Sequence, residues 1–461
     1  MTHRSSALVL LGALASCLVL TLCVTLVGGG YYFFNNRINP LAAFSAPASL
    51  NRIAFVGNDH NIYLADPVSG TTTALTTDGG SEHAYSYPTW APDSHRLAFV
   101  GYTFENSSPK EGALFTIAPT GENLTPIYKT QQNFPFYLYW SPDSQVVSFL
   151  ANNASQNIAL NIARSDQPDS NQEVDSGAPF YWAWSPDSSQ MFTHVGGTRS
   201  DNAEARLALL ASAAPNTKLS LDAAPGEFQA PQWAQNGMIL YSTQDGSAQT
   251  IALSDAAGTT TKNLVTYPGR ASFALSPDGK QMAYILTEAR MRLPHLGPVS
   301  VIDANGENER VIFKAPALAF FWSPDSTKLA YLTFTLGDDQ FNFDFHAAPS
   351  IASLEPEKFF RRTELDQGGD TPIQLHWRVW DRTTETSRTI ASFEPTGSFI
   401  DMIPFFDQYA NSSTFWSPDS QSLVYTSNET DSRGSVFIAD AVGNNPPRKI
   451  GDGVIAYWSW R

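Results

Sequence analysis

Short stretches of alternating apolar and polar residues recur along the chain, each directly after the same turn signal. The signal is a Trp followed by Ser-Pro-Asp-Ser or Ala-Pro-Asp-Ser, and complete copies begin at Trp90, Trp140, Trp184, Trp322 and Trp416. Two altered copies begin at Leu275 (Ser-Pro-Asp-Gly follows) and Trp233 (Ala-Gln-Asn-Gly follows). Pro fixes φ at about −65° in the second turn position, and Asp accepts hydrogen bonds inside the turn. The pattern therefore predicts a tight turn that joins two strands.

A second strand-and-turn pattern sets the size of the repeat. It begins 18 to 26 residues after the first position of four units, at Phe115, Ile251, Val301 and Val436. Two hairpins then give four short strands per unit, and the units recur every 42 to 50 residues apart from one interval of 94. Radial repetition of four-stranded antiparallel blades is the architecture of a β-propeller. We therefore predict an all-β propeller.

The two ends of the repeat region are complementary parts of one blade. Residues 454–460 match the aromatic strand before a turn, whereas residues 51–56 match the strand after it and residues 62–66 the third strand. We expect the last strand of the chain to complete the first blade, which removes the exposed edges of an open ring. Counted in this way, the chain has eight blades.

The interval of 94 residues between Trp322 and Trp416 has no turn signal in its middle. Residues 375–381 read as a third strand and residues 388–392 as a fourth. We therefore predict one blade with an insertion at about residues 337–373 rather than a ninth blade.

The N-terminal segment from Ala7 to Val27 contains 21 residues without a charge. A helix of this length spans about 30 Å, the thickness of the hydrocarbon core of a bilayer. We predict a cytoplasmic leader and transmembrane signal anchor over residues 1–35, a linker over 36–46, and the propeller over 47–461, outside the cytoplasm. A lipoprotein signal that ends at Cys17, or secretion after cleavage, is the alternative.

The Trp-Ser-Pro-Asp phrase and the strand after it resemble the TolB-type propeller repeat over residues 46–461. They are also similar to the propeller domains of dipeptidyl peptidase IV relatives. The resemblance implies the β-propeller fold. It also implies a choice of roles, because related propellers serve as periplasmic protein-interaction modules in TolB, as gating domains in the peptidases, and as lyase scaffolds.

Charge and composition limit the partners and the catalytic or metal-binding sites that we expect for this chain. The chain has 28 Lys and Arg against 44 Asp and Glu, a net charge of −16, which argues against nucleic acid as a partner. Both cysteines, Cys17 and Cys23, lie in the apolar N-terminal segment. The histidines lack the spacing of a metal site, and no Gly-x-Ser-x-Gly motif is present. We therefore assign no catalytic, cofactor-binding or metal-binding residue, and we interpret the repeated aspartates as caps of their own turns.

Two non-repeat segments are candidates for binding, namely the insertion and the loop over residues 402–411. Long loops on a rigid scaffold often carry function. The candidate binding surface consists of Phe341, Phe343, Phe345, His346, Arg361, Arg362, Phe405, Phe406 and Tyr409. The predicted function is that of a membrane-anchored binding module for an envelope or extracellular protein. The alternative is a lyase or hydrolase that acts on a polysaccharide or peptide in the central channel.

Overall fold

Eight antiparallel sheets follow one another along the chain, seven with four strands and one with three. The computed structural model describes residues 50–153, 157–213, 217–227, 229–288, 295–335, 373–429 and 433–461. The predicted anchor at residues 7–27, the linker, and residues 336–372 of the insertion lie outside this range. Within it, no helix combines the length and the apolar character needed to cross a bilayer.

Each sheet is one blade, and the blades are numbered in chain order. The strands of blades 1 to 4 are β1 (Ile53–Gly57), β2 (Ile62–Ala65), β3 (Thr72–Ala74), β4 (His83–Trp90), β5 (Leu97–Glu105), β6 (Ser108–Ile117), β7 (Thr125–Thr130), β8 (Pro135–Trp140), β9 (Val146–Asn152), β10 (Ile158–Arg164), β11 (Gln172–Ser176), β12 (Phe180–Trp184), β13 (Gln190–Val195), β14 (Arg206–Ala211) and β15 (Lys218–Ser220). Blade 1 consists of β1 to β3 and the last strand of the chain, and the next three blades are β4–β7, β8–β11 and β12–β15.

The strands of blades 5 to 8 are β16 (Gln232–Trp233), β17 (Ile239–Asp245), β18 (Ala248–Ser254), β19 (Thr260–Tyr267), β20 (Arg270–Leu275), β21 (Gln281–Thr287), β22 (Gly297–Asp303), β23 (Arg310–Ala317), β24 (Ala319–Trp322), β25 (Lys328–Thr335), β26 (Gln374–Asp381), β27 (Thr386–Phe393), β28 (Ser422–Asn428), β29 (Gly434–Asp440), β30 (Arg448–Gly451) and β31 (Gly453–Trp458). Blades 5, 6 and 7 are β16–β19, β20–β23 and β24–β27, and blade 8 is β28–β30. First strands such as β12 and β24 are wholly buried, whereas fourth strands such as β3 and β15 are exposed. The first strands therefore line the axis of the ring.

The chain closes the ring as the sequence predicts. Strand β31 pairs antiparallel with β1, with Ile53 opposite Trp458 and Val56 opposite Ile455. Blade 1 is thereby built from both ends of the propeller, and the prediction of eight blades is confirmed. The exposed strand edges of an open ring are absent because this pairing uses them.

The long interval after Trp322 is one blade, as predicted. Strands β25 and β26 pair along their whole length, and their last pair, Thr335 and Gln374, brackets the insertion. Strand β27 then completes blade 7. The insertion thus interrupts a hairpin whose two ends are already adjacent.

The last residue of the turn signal explains why this chain uses Ser where Gly would fit the backbone more easily. The turn serines have left-handed φ angles close to +60°: Ser94, Ser144, Ser188, Ser326 and Ser420. Each of these hydroxyls accepts a hydrogen bond from a backbone N–H in the turn of the preceding blade. For example, Asp278 N donates to Ser326 Oγ at 2.9 Å. Where the turn ends in Gly, at Gly237 and Gly279, no such acceptor exists.

The repeated Trp also connects blades. Trp140 Nε1 donates to Thr89 O at 2.9 Å, and Trp416 Nε1 donates to Phe321 O at 3.0 Å. The repeated Asp instead serves its own turn, as Asp143 does by accepting from the Ser141 hydroxyl and from Gln145 N. Both residue types are therefore architectural.

Alternation of antiparallel strands gives the ring two distinct faces. We call one of them the tetrad face, because it carries the repeated four-residue turns between first and second strands. The turns between third and fourth strands lie on the same face. The connection face carries the turns between second and third strands and the links from one blade to the next. The loop over residues 402–411 belongs to the connection face because it follows β27. Thr335 and Gln374, the paired residues between which the insertion lies in the sequence, are at the same face.

We predict that Ser326→Ala lowers the free energy of unfolding by about 1 kcal/mol, because Asp278 N–H loses its acceptor while the left-handed backbone remains. Ser326→Gly loses the same hydrogen bond but relieves the backbone, so its stability should stay close to that of the native protein. Urea unfolding of both variants checks this. Equal losses for Ala and Gly would show that the left-handed backbone does not matter.

Candidate functional site

A helical segment takes the place of the first strand of blade 8. It consists of α1 (Gly397–Met402), a 3₁₀ turn (Ile403–Phe405) and α2 (Phe406–Ser412). After it, only isolated bridges remain, from Thr414 to Trp458 and from Trp416 to Leu423. We call residues 397–412 the mouth segment.

The mouth segment lies across the axis of the ring. Helix α2 contacts β8, β20 and β24, which are the first strands of blades 3, 6 and 7, and α1 contacts β31 of blade 1. First strands surround the axis, so a segment that reaches four of them on different sides closes the channel at the connection face.

Phe406 is the apolar centre of this closure. Its side chain is 0% exposed. The ring packs edge-on against Phe320, Phe321 and His295, with centroids 5.0, 5.8 and 4.9 Å away. On the other side of the axis, Tyr409 meets Tyr137 at 5.2 Å, also edge-on. Aromatic contacts therefore fix the segment at two opposite walls.

Polar contacts fix the register of the segment. Asp407 is 2% exposed, and its Oδ2 accepts a hydrogen bond from Ala230 N at 3.0 Å. The Tyr137 hydroxyl donates to Gln408 O at 2.7 Å. Asn411 Nδ2 donates to Pro231 O at 3.2 Å. These partners come from blade 3 and from the link that enters blade 5.

His295 holds the segment from blade 6. Its Nε2 donates to Pro404 O at 2.9 Å, since a carbonyl oxygen only accepts, and its Nδ1 bonds the Ser272 hydroxyl. Burial lowers the pKa of His295, although the nearby Asp407 carboxylate acts in the opposite direction. Ser272 is fully buried and the second ring nitrogen bonds a carbonyl rather than a carboxylate. The pair therefore supports the segment and does not form a nucleophilic triad.

His194 supports the neighbouring link in a similar way. Its ring nitrogens lie 3.1 Å from Gln229 O and 3.4 Å from Gly197 O. Burial lowers the pKa of His194 to about 4, because the charged imidazolium would lose its hydration. The neutral ring thus positions the residues that precede Ala230, the partner of Asp407.

Tyrosines dominate the wall of blades 1 to 3 beneath the segment. Burial raises the pKa of Tyr87 to about 12, and it raises the pKa of Tyr137 and Tyr457 as well. Their hydroxyls therefore stay protonated and act as neutral hydrogen-bonding groups at ordinary pH. Among the residues that the structure describes, no group of three or more His, Cys, Asp or Glu side chains is arranged to hold a metal ion.

The structure describes three of the nine candidate residues. Phe406 is buried and therefore holds the segment in place rather than forming its surface, whereas Phe405 and Tyr409 are half-buried. Phe341, Phe343, Phe345, His346, Arg361 and Arg362 lie outside the described residues. Sequence reasoning missed Asp407 and His295 as partners of the segment. The available signal was the lack of strand alternation over residues 402–411, with Pro404 inside.

The fold and this site define an eight-bladed β-propeller whose channel is closed at one face by its own chain. No family model matches the sequence, and no curated protein matches it.

Solved structures share the fold at low identity. A putative TolB from Agrobacterium tumefaciens is 15% identical over 57% of this chain and 88% of that chain, with a TM-score of 0.36. The dihydro-heme d1 dehydrogenase NirN is 13% identical over 88% of this chain and 74% of that chain, with a TM-score of 0.50. A prolyl endopeptidase is 14% identical over 84% of this chain and 54% of that chain, with a TM-score of 0.47. Similarity at this level shows the propeller fold and no activity.

We predict that stability falls as the pH is lowered from about 6.5 to 4, by up to about 3 kcal/mol for His194, because its folded pKa lies below its unfolded value. Above pH 6.5 this contribution is fully present. His194→Gln should flatten part of the slope in urea unfolding at pH 7, 5 and 4. Val68→Ser, a change at an exposed residue that does not titrate, should leave the slope unchanged. An unaltered slope in His194→Gln would contradict the assignment.

Proposed function

We propose that this protein is a binding module for an envelope or extracellular protein, which it binds through its connection face. In this proposal, residues 7–27 hold it at the cell membrane with the propeller outside the cytoplasm. The observation that carries the proposal is the mouth segment. Because Phe406, Asp407 and Gln408 fill the channel mouth, the connection face presents a surface rather than an open cavity.

The contrast between the two faces supports the choice of face. On the tetrad face, repeated turns use nearly the same residues, and their polar groups bond one another within and between blades. The connection face instead carries segments that differ from blade to blade, including the link over residues 221–227 and 229–231, the mouth segment, and the hairpin ends Thr335 and Gln374 between which the insertion lies in the sequence. Variable loops on a regular scaffold are the usual place for recognition.

The N-terminal segment supports the location. Residues 7–27 are long and apolar enough for a membrane span, and the aromatic residues 31–34 follow them as an interfacial belt would. The net charge of −16 makes direct adsorption of the propeller to anionic lipid unfavourable. Attachment to the membrane through residues 7–27, together with a partner that is a protein rather than a lipid, is consistent with both observations.

An enzyme that uses the central channel is the alternative, and it needs a substrate to pass the mouth segment. The buried Asp407 and His295 bond backbone groups of the protein itself, at 3.0 and 2.9 Å. No observation on the described residues favours this alternative over binding.

We predict that cross-linking of the tagged full-length protein in intact cells, followed by mass spectrometry, recovers one dominant extracytoplasmic protein. Replacement of residues 336–373 by Asn-Gly should abolish its recovery. This replacement is compatible with the fold because Thr335 and Gln374 are already paired, and Asn-Gly forms a two-residue hairpin turn.

The matched control is Val68→Ser, which changes a residue that is 84% exposed on the tetrad face. This variant should recover the same protein as the native chain. Recovery that survives the loop replacement, or that is lost in Val68→Ser, would contradict the assignment of the connection face. Thermal unfolding of each variant shows whether the propeller stays folded.

A further inference from the structure

The wall of the channel mouth donates hydrogen bonds to a single peptide. The Tyr137 hydroxyl, Ala230 N and His295 Nε2 donate to acceptors on residues 404–408, over 2.7, 3.0 and 2.9 Å. The three donors belong to blade 3, the link into blade 5 and blade 6. Binding sites likewise use a few convergent polar groups to orient their ligand.

The apolar contacts also come from separate blades and converge on the same peptide. Phe406 fills a pocket made by Phe320, Phe321 and His295, and Tyr409 packs against Tyr137 on the opposite wall. The carboxylate of Asp407 stands directly after the aromatic ring in the sequence. The mouth therefore binds an aromatic side chain that is followed in the sequence by a carboxylate.

The internal peptide is weakly held by its own secondary structure. Helices α1 and α2 have six and seven residues, and neither has a side-chain hydrogen bond at its N-cap. Helices this short are marginal without tertiary packing. The segment also leaves blade 8 without a regular first strand. Its position thus depends almost wholly on the contacts in the mouth.

Two buried amide atoms at the mouth lack hydrogen-bond partners within the described part of the chain. They are Nε2 of Gln408, whose residue is 4% exposed, and Oε1 of Gln229, whose residue is 2% exposed. These residues are direct sequence neighbours of the bonded pair Asp407 and Ala230. A buried polar atom without a partner is unfavourable, so these two atoms weaken the hold of the mouth on the segment.

We propose that the channel mouth is a peptide-binding site which residues 403–411 occupy internally, and that a partner peptide with an aromatic side chain followed by a carboxylate binds there by displacing them. The site, called the mouth site, is formed by Tyr137, Ala230, Gln232, His295, Phe320 and Phe321. The proposal rests on the proposed function as a protein-binding module. It adds the chemistry of the partner and a competition with the protein's own chain.

The probe is a fluorescent synthetic peptide with the sequence of residues 402–412, tested on the full-length protein by anisotropy. Phe406→Ala weakens the internal occupant without changing the wall, so this variant should bind the probe at least tenfold more tightly than the native protein. Probes that carry Ala for the Phe equivalent to Phe406, or Asn for the Asp equivalent to Asp407, should bind at least tenfold more weakly. No binding to a cooperatively folded Phe406→Ala variant would overturn the proposal.

A second variant tests displacement by locking the segment in the mouth. Gln232→Cys and Asn411→Cys place two thiols at side chains that touch, with Nε2 and Oδ1 3.4 Å apart. Joining them with a short bismaleimide should abolish probe binding, whereas the unjoined double variant and each single variant treated alike should bind. The sequence from Asn51 to Arg461 contains no other cysteine. Equal binding before and after joining would overturn the proposal.

Hydrogen exchange on the native protein gives a readout that does not need a variant. Amides of residues 403–412 should exchange at least tenfold faster than those of β20 and β24, the strands against which they pack. Equal protection would mean that the segment does not leave the mouth. If partner capture in cells still depends on residues 336–373 while the probe never binds, the mouth site fails and the proposed function stands. If partner capture does not depend on residues 336–373 and the probe does not bind either, both proposals are wrong.

Discussion

Closure of the ring by the pairing of β31 with β1 is the constraint on which the remaining structure depends. A blade has two open edges, and a row of blades buries its faces only if the last blade packs against the first. Because blade 1 takes one strand from the C-terminal end and three from the start, unfolding of either end exposes both neighbouring blades. The turn serines and the tryptophans then join adjacent blades, but they do so on a ring that this pairing has already closed.

The mouth segment shows how one departure from the repeat is accommodated. Blade 8 gives up a regular first strand, and the short helices that replace it contact four other blades instead. Phe406 packs against Phe320 in the wall, while Asp407 and Pro404 accept hydrogen bonds from donors on the wall. The cost is visible in the amide of Gln408, which finds no partner among the described residues. The same contacts both seal the channel and shape the connection face.

Most of the fold could be predicted from the sequence because each blade repeats one local pattern. Trp416 and Ser420 belong to a phrase whose turn chemistry is fixed by neighbouring residues, and the match of residues 454–460 to residues 51–56 follows from that phrase. The mouth segment could not be predicted, since nothing local requires residues 397–412 to be helical. Their conformation comes from contacts with Tyr137, Ala230 and His295, which lie more than 100 residues away in the chain. Non-local contacts of this kind leave no periodic signal.

The hydrogen bond between turn Asp and turn Ser has a direction, since the N–H always belongs to the earlier blade and the hydroxyl to the later one. Every blade with an intact phrase thus has a donor side and an acceptor side, and any such blade can follow any other. Gain or loss of a blade by duplication or deletion of about 45 residues would preserve this junction chemistry. Only the wedge angle between neighbouring sheets would have to change, so the number of blades is set by side-chain packing between sheets and not by the turns.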